Sequence, residues 1–336
     1  MSPLRPSRLV GLFAAVSFAA VSFAAPAYAA DKGLPTFTDP AAAGPDFAVQ
    51  GEYLGEIETK DGKAKHGVQV IALGEGKFRA VVHDGGLPGD GWEKGQKIMS
   101  YDGQTKDGVA VFPGEKGRGE IKDGVLAVSN SGGDKLGDLK KVERKSPTLG
   151  AKPPAGAIVL FDGSNVDAWE GGKMTADGLL EVGTRSKQSF GSCLLHLEFR
   201  TPFMPTASGQ ARGNSGVYIQ DAYEFQVLDS FGLEGKDNEC GGIYSIKAPR
   251  LNMCYPPLSW QTYDFDYTAP KFDADGKKTV NARVTLKHNG VKIYDDLELP
   301  QQTPGGRGKE GATGPIALQN HGNPVNYRNI WLAEKK

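Results

Sequence analysis

Hydrophobic and polar residues alternate with a period of two along most of this 336-residue chain, the pattern of half-buried β-strands. In LHLEFR (Leu195 to Arg200), Leu195, Leu197 and Phe199 read inward and leave His196, Glu198 and Arg200 on the opposite face. In GNSGVYIQ (Gly213 to Gln220), Val217 and Ile219 alternate with Tyr218 and Gln220. In AYEFQVLD (Ala222 to Asp229), Tyr223, Phe225 and Val227 alternate with Glu224 and Gln226. The run GPIALQNHGNPVNYRNIW (Gly314 to Trp331) sets Ile316 and Leu318 on one face and Ala317, Gln319 and His321 on the other. Its Gly322-Asn323-Pro324 turn sends the chain back through Val325, which predicts a strand pair. Strands of this kind pack a core on one side and meet solvent or ligand on the other. No long amphipathic helix is legible.

An earlier block, about Asp46 to Arg144, carries GVQVIAL, KFRAVVH, DGVAVF and GVLAVS between Asp-Gly or Gly-rich turns, and predicts a small antiparallel β domain over 46–145. Its HDGGLPGDGW (His83 to Trp92) reads as an irregular loop around one packed Trp. Pro and Gly crowd together at Ser146 to Ala157 and regular alternation stops there, marking a linker before a second domain at 158–334. Residues 1–29 read as a secretory signal: Arg5 and Arg8 precede an apolar run, and Ala27-Tyr28-Ala29 supplies small residues for cleavage. The apolar run is shorter than the roughly 20 residues of a spanning helix, so a periplasmic or extracellular protein without a transmembrane segment is expected.

Composition sharpens this picture. Glycine, at 46 residues, is about twice its average share, as short strands joined by tight turns require. A formal net charge of -1 gives no electrostatic case for nucleic acid or an anionic membrane as partner. Neutral ligands fit better. There is no GxSxG, HExxH or CxxC. A GxGxxG match at Gly306, Gly308 and Gly311 has no helix pattern after it and reads as chance. FDADGKK (Phe272 to Lys278) reads as a hairpin turn rather than a calcium loop.

The opening signature IVLFDGSNVDAW (Ile158 to Trp169), followed in order by the four alternating segments above, resembles the 3-keto-disaccharide hydrolase family over roughly residues 155 to 335. The resemblance implies a concanavalin A-like jelly-roll β-sandwich, hence an all-β protein with the small antiparallel β domain in front. It also implies secretion and action on glycosides oxidised to a ketone at carbon 3.

Jelly-roll glucanases cut ordinary glycosides with two carboxylates about 5 to 9 Å apart. Here Glu224 is followed at the next same-face position by Gln226, and Asp229 falls out of phase, so a two-carboxylate pair along the strand is broken. A 3-ketone makes the carbon 2 proton acidic, and one base then suffices for elimination of the carbon 1 substituent, with water adding back. The expected roles are Glu224 or His321 as base, Arg200 as the cation facing the enolate, and Asn214, Gln226, Gln319 and Tyr218 as hydroxyl-binding groups. A divalent metal held by Glu224, His321 and another carboxylate is the alternative electrophile. A carbohydrate-binding module without catalysis is the competing reading, since the same fold hosts both.

Other features have plainer readings beside these. Glu198 and Arg200 suit a surface ion-pair network, Asn214-Ser215-Gly216 suits turn chemistry, and His196 and His288 suit ordinary strand positions. Asp162 and Trp169 read as a turn acid and a packed ring. Cys240 and Cys254 flank one loop, and a disulfide closing those 15 residues would stabilise by roughly 3 kcal/mol; Cys193 is left as a buried free thiol. The long loop Phe231 to Pro257 has the length of a functional lid.

Overall fold

The computed structural model describes residues 33–335; the export signal read at 1–29 lies outside the described residues. Its helices are short, Pro40–Ala42, Gly44–Val49 and Gly209–Ala211, and no described helix is long and apolar enough to cross a membrane. The protein is all-β in two parts.

Eight antiparallel strands between Gly51–Thr59 and Lys135–Val142 close into a barrel, the first pairing with the last through Glu52 and Val142. The Asp-Gly pairs predict the turns. Asp107-Gly108 and Asp123-Gly124 all take positive φ (48°, 79°, 49° and 76°), the conformation that matches a hairpin turn to strand twist. Inward positions such as Tyr53, Val70, Phe78 and Leu139 are buried and form their own cluster.

The second part is a sandwich. One seven-stranded sheet runs Ile158–Phe161, Asn326–Glu334, Cys193–Arg200, Gln261–Thr268, Ala282–His288, Val291–Leu299, with Leu180–Glu181 also on Asn326–Glu334. The facing five-stranded sheet runs Trp169–Glu170, Thr184–Ser186, Ala317–Leu318, Ser215–Ile219, Tyr223–Val227. The alternation read from the sequence holds: Leu195, Leu197 and Phe199 from one sheet share a core with Val217, Ile219, Phe225 and Val227 from the other. Phe225 meets Phe265 edge-on across the interface, with centroids 4.8 Å apart.

Four expectations change. The Gly314 to Trp331 run is not a hairpin, because Ala317–Leu318 belongs to the five-stranded sheet and Asn326–Glu334 to the seven-stranded one; the turn carrying His321 crosses between sheets. Segment 146–157 is no free linker. It straps the outer face of the seven-stranded sheet, with Thr148 Oγ1 donating to Asp264 at 2.6 Å, the Gly150 N–H to Glu198, and Trp331 Nε1 to the Ala151 carbonyl at 3.0 Å. That cover buries His196 and Glu198, the polar face of their strand.

The loop Phe231 to Pro257 is not a lid either. Its Ile243, Leu251 and Met253 enter the sandwich core, and Lys94 of the barrel part donates to its Gly235 and Pro249 carbonyls. Lastly, the expected Cys240–Cys254 disulfide is not formed, and all three cysteines are free and buried. Cys240 Sγ lies 3.3 Å from Tyr263 Oη, and Cys254 Sγ donates to the Leu228 carbonyl at 3.4 Å, so packing and hydrogen bonds hold the loop. Cys193 fits its reading, its thiol pushed up to about 12 by burial.

Barrel and sandwich meet over a shared apolar contact. Ile71, Val81 and Trp92 of the barrel part pack into the sandwich core, and Phe203 of the sandwich packs into the barrel cluster. At this joint Arg212 pairs with Asp229 at 2.6 Å and donates to the Ala72 carbonyl at 3.1 Å.

Candidate functional site

The outer face of the five-stranded sheet carries one row of residues across all five strands. Register pairs Glu170 with Arg185, Arg185 with Ala317, Ala317 with Tyr218, and Tyr218 with Glu224. Because successive residues of a strand point to opposite faces, these five project together. Ala317, the smallest, leaves a hollow between Arg185 and Tyr218. The hollow belongs to a pocket of about 680 Å³ walled by Arg185, Tyr218, Asp221, Arg307, Gln319 and Asn320 among others.

Glu224 stands behind this wall, against Tyr218, Gln319 and Gly305, and is 4% exposed. Burial pushes its carboxyl up to about 7, against the opposing pull of hydrogen bonds from Tyr218 and Gln319. Gln319 Nε2 also donates to Tyr218 Oη at 3.1 Å, while Gln319 Oε1 is buried without a protein hydrogen-bond partner. A buried acceptor of this kind is costly unless something donates to it, and a substrate hydroxyl is a suitable donor. Asp221, in the turn joining Ser215–Ile219 to Tyr223–Val227, is also raised by burial, opposed by the charges of Arg185 and Arg307 and by the Arg307 N–H. The pocket wall thus holds Asp221 and two guanidinium groups, with the second carboxyl of elevated proton affinity, Glu224, directly behind Tyr218 and Gln319.

One wall of the pocket is formed by the loop of the Gly306, Gly308 and Gly311 match, through Gly305 and Arg307. Thr303 N–H donates to the Ala222 carbonyl at 3.0 Å and Gly308 N–H to the Asp221 carbonyl at 2.8 Å. A Cβ at Gly306 would stand 2.8 Å from Ala222 O, and one at Gly308 2.7 Å from Gln220 O. Glycine is needed here because backbone lies on backbone, not to cradle phosphate, and the result is that Arg307 is presented to the pocket.

The structure assembles part of the predicted constellation. Glu224, Tyr218 and Gln319 come together. Asn214 and Gln226 lie on the same face but bond mainly to each other and to Gln210, with Gln226 Nε2 donating to Asn214 Oδ1 at 3.2 Å and Gln210 Oε1 at 3.0 Å. Arg200 does not converge with them: it sits on the seven-stranded sheet, over the Trp260 ring at 5.0 Å, in a separate pocket with Asp177 and Asn326. His321 stands in the crossing turn, outside the wall of the pocket between Arg185 and Tyr218. The metal set of Glu224, His321 and a further carboxylate is not gathered, and among the described residues no three His, Cys, Asp or Glu side chains cluster for a metal.

Sequence reading missed Arg185, Asp221 and Arg307. Arg185 lies on a three-residue strand, Thr184–Ser186, too short to show a period. Asp221 could have been found from its place in the turn three residues before Glu224.

Over residues 156–333 the chain matches the family model described as a 3-keto-alpha-glucoside-1,2-lyase-like domain. A solved structure of a provisionally assigned glycosyl hydrolase from Parabacteroides distasonis is 36% identical, covering 54% of this chain and 85% of its own, with a TM-score of 0.50. Two further structures from that organism, under the same provisional assignment, are 16% and 20% identical. They cover 54% and 53% of this chain and 95% and 99% of their own, with TM-scores of 0.41 and 0.37. No curated protein is matched.

Proposed function

The chain belongs to the family of 3-keto-alpha-glucoside-1,2-lyase-like domains through residues 156–333, and we propose that it cleaves 3-keto-glycosides by removing the proton on carbon 2. The observation that carries this reading is the buried Glu224, its carboxyl raised to about 7 and hydrogen-bonded to Tyr218 and Gln319, which themselves wall a pocket with two arginines. A base is most effective when its pKa lies near the working pH. Burial gives Glu224 that value, whereas an exposed carboxylate would be a weak base for a carbon acid.

In this reading the Glu224 carboxylate takes the carbon 2 proton, and the C–H electron pair becomes an enolate conjugated with the ketone. Arg185 and Arg307 supply the positive field and N–H donors that stabilise charge developing on the carbon 3 oxygen. The enolate then expels the carbon 1 oxygen, which receives its proton from Asp221, leaving a carbon 1–carbon 2 double bond. Release at this stage is a lyase outcome. Addition of water at carbon 1, with its proton passing to Asp221 and the proton on Glu224 returning to carbon 2, gives net hydrolysis and restores both groups. Gln319 Oε1 accepts a sugar hydroxyl in the same pocket. With the export signal read at residues 1–29, the reaction would take place in the periplasm or outside the cell.

The test is incubation of the full chain with a 3-keto-glucoside and with its unoxidised parent. Release of aglycone from the ketone alone, with deuterium at carbon 2 slowing the reaction or washing out, is the expected result. Equal cleavage of the parent sugar would overturn the mechanism. Saturable sugar binding with no turnover would make the sandwich a carbohydrate-binding module.

A further inference from the structure

An eight-stranded barrel has an interior just wide enough to be filled by its own side chains or to hold one small ligand. This barrel does the first at one end and leaves room at the other. At the filled end Tyr53 and Phe78 are fully buried, and Phe203 from the sandwich packs into the same cluster. Elsewhere inside the barrel a cavity of about 190 Å³ remains. Gly119 stands on its wall, where a Cβ would come 3.0 Å from Leu126 Cδ1, so the glycine contributes to the space. Protein interiors are packed to crystal-like density, and voids larger than a water are few. An apolar cavity of roughly 150 Å³ takes up benzene, which sets the scale here at one ring.

We infer that the barrel is a binding cup for a single-ring aromatic ligand of the phenol class, its ring held among Tyr101, Phe112 and Met99 and its hydroxyl at the mouth, where the exposed Lys116 lines the cavity. Aromatic faces and a thioether are good partners for a ring. Tyr101, Met99 and Val128 are only partly buried, so the cup is open to entry. His66 in the wall is oriented by the Ala64 carbonyl, 3.0 Å from Nδ1, with Asp84 3.4 Å from Nε2. Lys116 and Arg118 line the cavity, and Arg118 is paired with Glu120 at 3.2 Å. The cup shares no lining residue with the pocket of Arg185, Tyr218 and Arg307 and is independent of the reaction there.

Titration of the full chain with phenol and 4-methylphenol, followed by the Met99 methyl resonance and by calorimetry, tests the cup. Saturable binding at one site is expected, with the Met99 methyl shifting on the same curve. Val128→Trp at the mouth and Ala80→Leu inside each reduce the free volume, and each is expected to weaken affinity by about tenfold or more without changing turnover at the sandwich site. Cyclohexanol binding as tightly as phenol would overturn the aromatic class. No saturable binding at millimolar phenol, no movement of the Met99 methyl, or binding unaltered in both variants would overturn the cup itself.

Discussion

Gly216 lies against the Glu224 carboxyl: a Cβ at residue 216 would stand 2.9 Å from Glu224 Oε1 and 3.3 Å from Gln319 Oε1. The glycine is not there for its backbone angles, since its φ is not positive. It is there for the space its missing side chain leaves under the carboxyl. Gly216→Ala should therefore keep the fold and displace the base, lowering turnover by about two orders of magnitude, the usual effect of a misplacement of about 1 Å. Steady-state kinetics with a thermal melt on the same sample checks it. Full turnover in a folded Gly216→Ala protein would show that the carboxyl's position is not critical.

Glu224→Gln should lower turnover by about two to four orders of magnitude, and wild-type activity should rise with pH through about 7 as the carboxyl ionises. Stability moves the other way. The folded pKa lies above the ordinary 4.5, so the contribution is fully present below 4.5 and is lost as pH rises through about 7. Glu224→Gln should consequently stabilise the protein above neutrality, by on the order of 3 kcal/mol, and have little effect in acid. Denaturant titrations at both ends of this range decide it, and an equal effect at both would mean that the wild-type carboxyl is not held protonated by burial.

Asp221→Asn separates proton donation from base catalysis. With an alkoxide leaving group, turnover should fall by about two orders of magnitude or more. With a nitrophenolate, which leaves without a proton, it should stay within a few-fold of wild type. A uniform loss across leaving groups would assign Asp221 a positioning role in its turn.

Arg185→Ala and Arg200→Ala probe the two sheets. Removing the guanidinium that faces the pocket should cost about 10²-fold in kcat, whereas Arg200, stacked on Trp260 in the opposite sheet, should leave kcat within a few-fold. The reverse order would return the electrophilic role to Arg200.

The strap should give the protein an optimum in mildly acid solution. Burial alone would raise Glu198, but hydrogen bonds from His196, Asn329, the Gly150 N–H and Arg328 hold it at about 2. Its contribution is present above 4.5 and is lost as pH falls toward 2. Burial alone would lower His196, but Asp264 and Glu198 raise it, so its contribution is full below 6.5 and fades as pH rises through the raised value. Glu198→Gln should destabilise most between these limits, by about 3 kcal/mol for breaking a buried charge pair. Denaturant midpoints across pH test this, and a pH-independent loss would reduce the network to shape alone.

The strands and their faces were legible in the sequence because alternation is a local property. Leu195, Leu197, Val217, Ile219, Phe225 and Leu318 are all buried as the period of two requires. The Asp-Gly turns were legible for the same reason, since a positive φ is demanded within two residues. Glu224, Tyr218 and Gln319 could be placed on polar faces of their own strands, but a face is not a position. Arg200 has the same alternation as Glu224 and lies on the other sheet.

What the sequence determined by itself is therefore the class of the fold, the inward and outward sides of each strand, and a carboxylate on a polar face with hydroxyl and amide groups as the chemistry on offer. Tertiary structure alone decided which outward sides face one another. It put Arg185 in the same register row as Tyr218 with only Ala317 between them, laid a Gly-rich loop on the 220–222 turn so that Arg307 enters the pocket, and covered His196 and Glu198 with a strap. The reason is physical: strand pairing and loop packing join residues far apart in the chain, and only the closed core, by fixing which sheets stack and in what register, brings their side chains to one place.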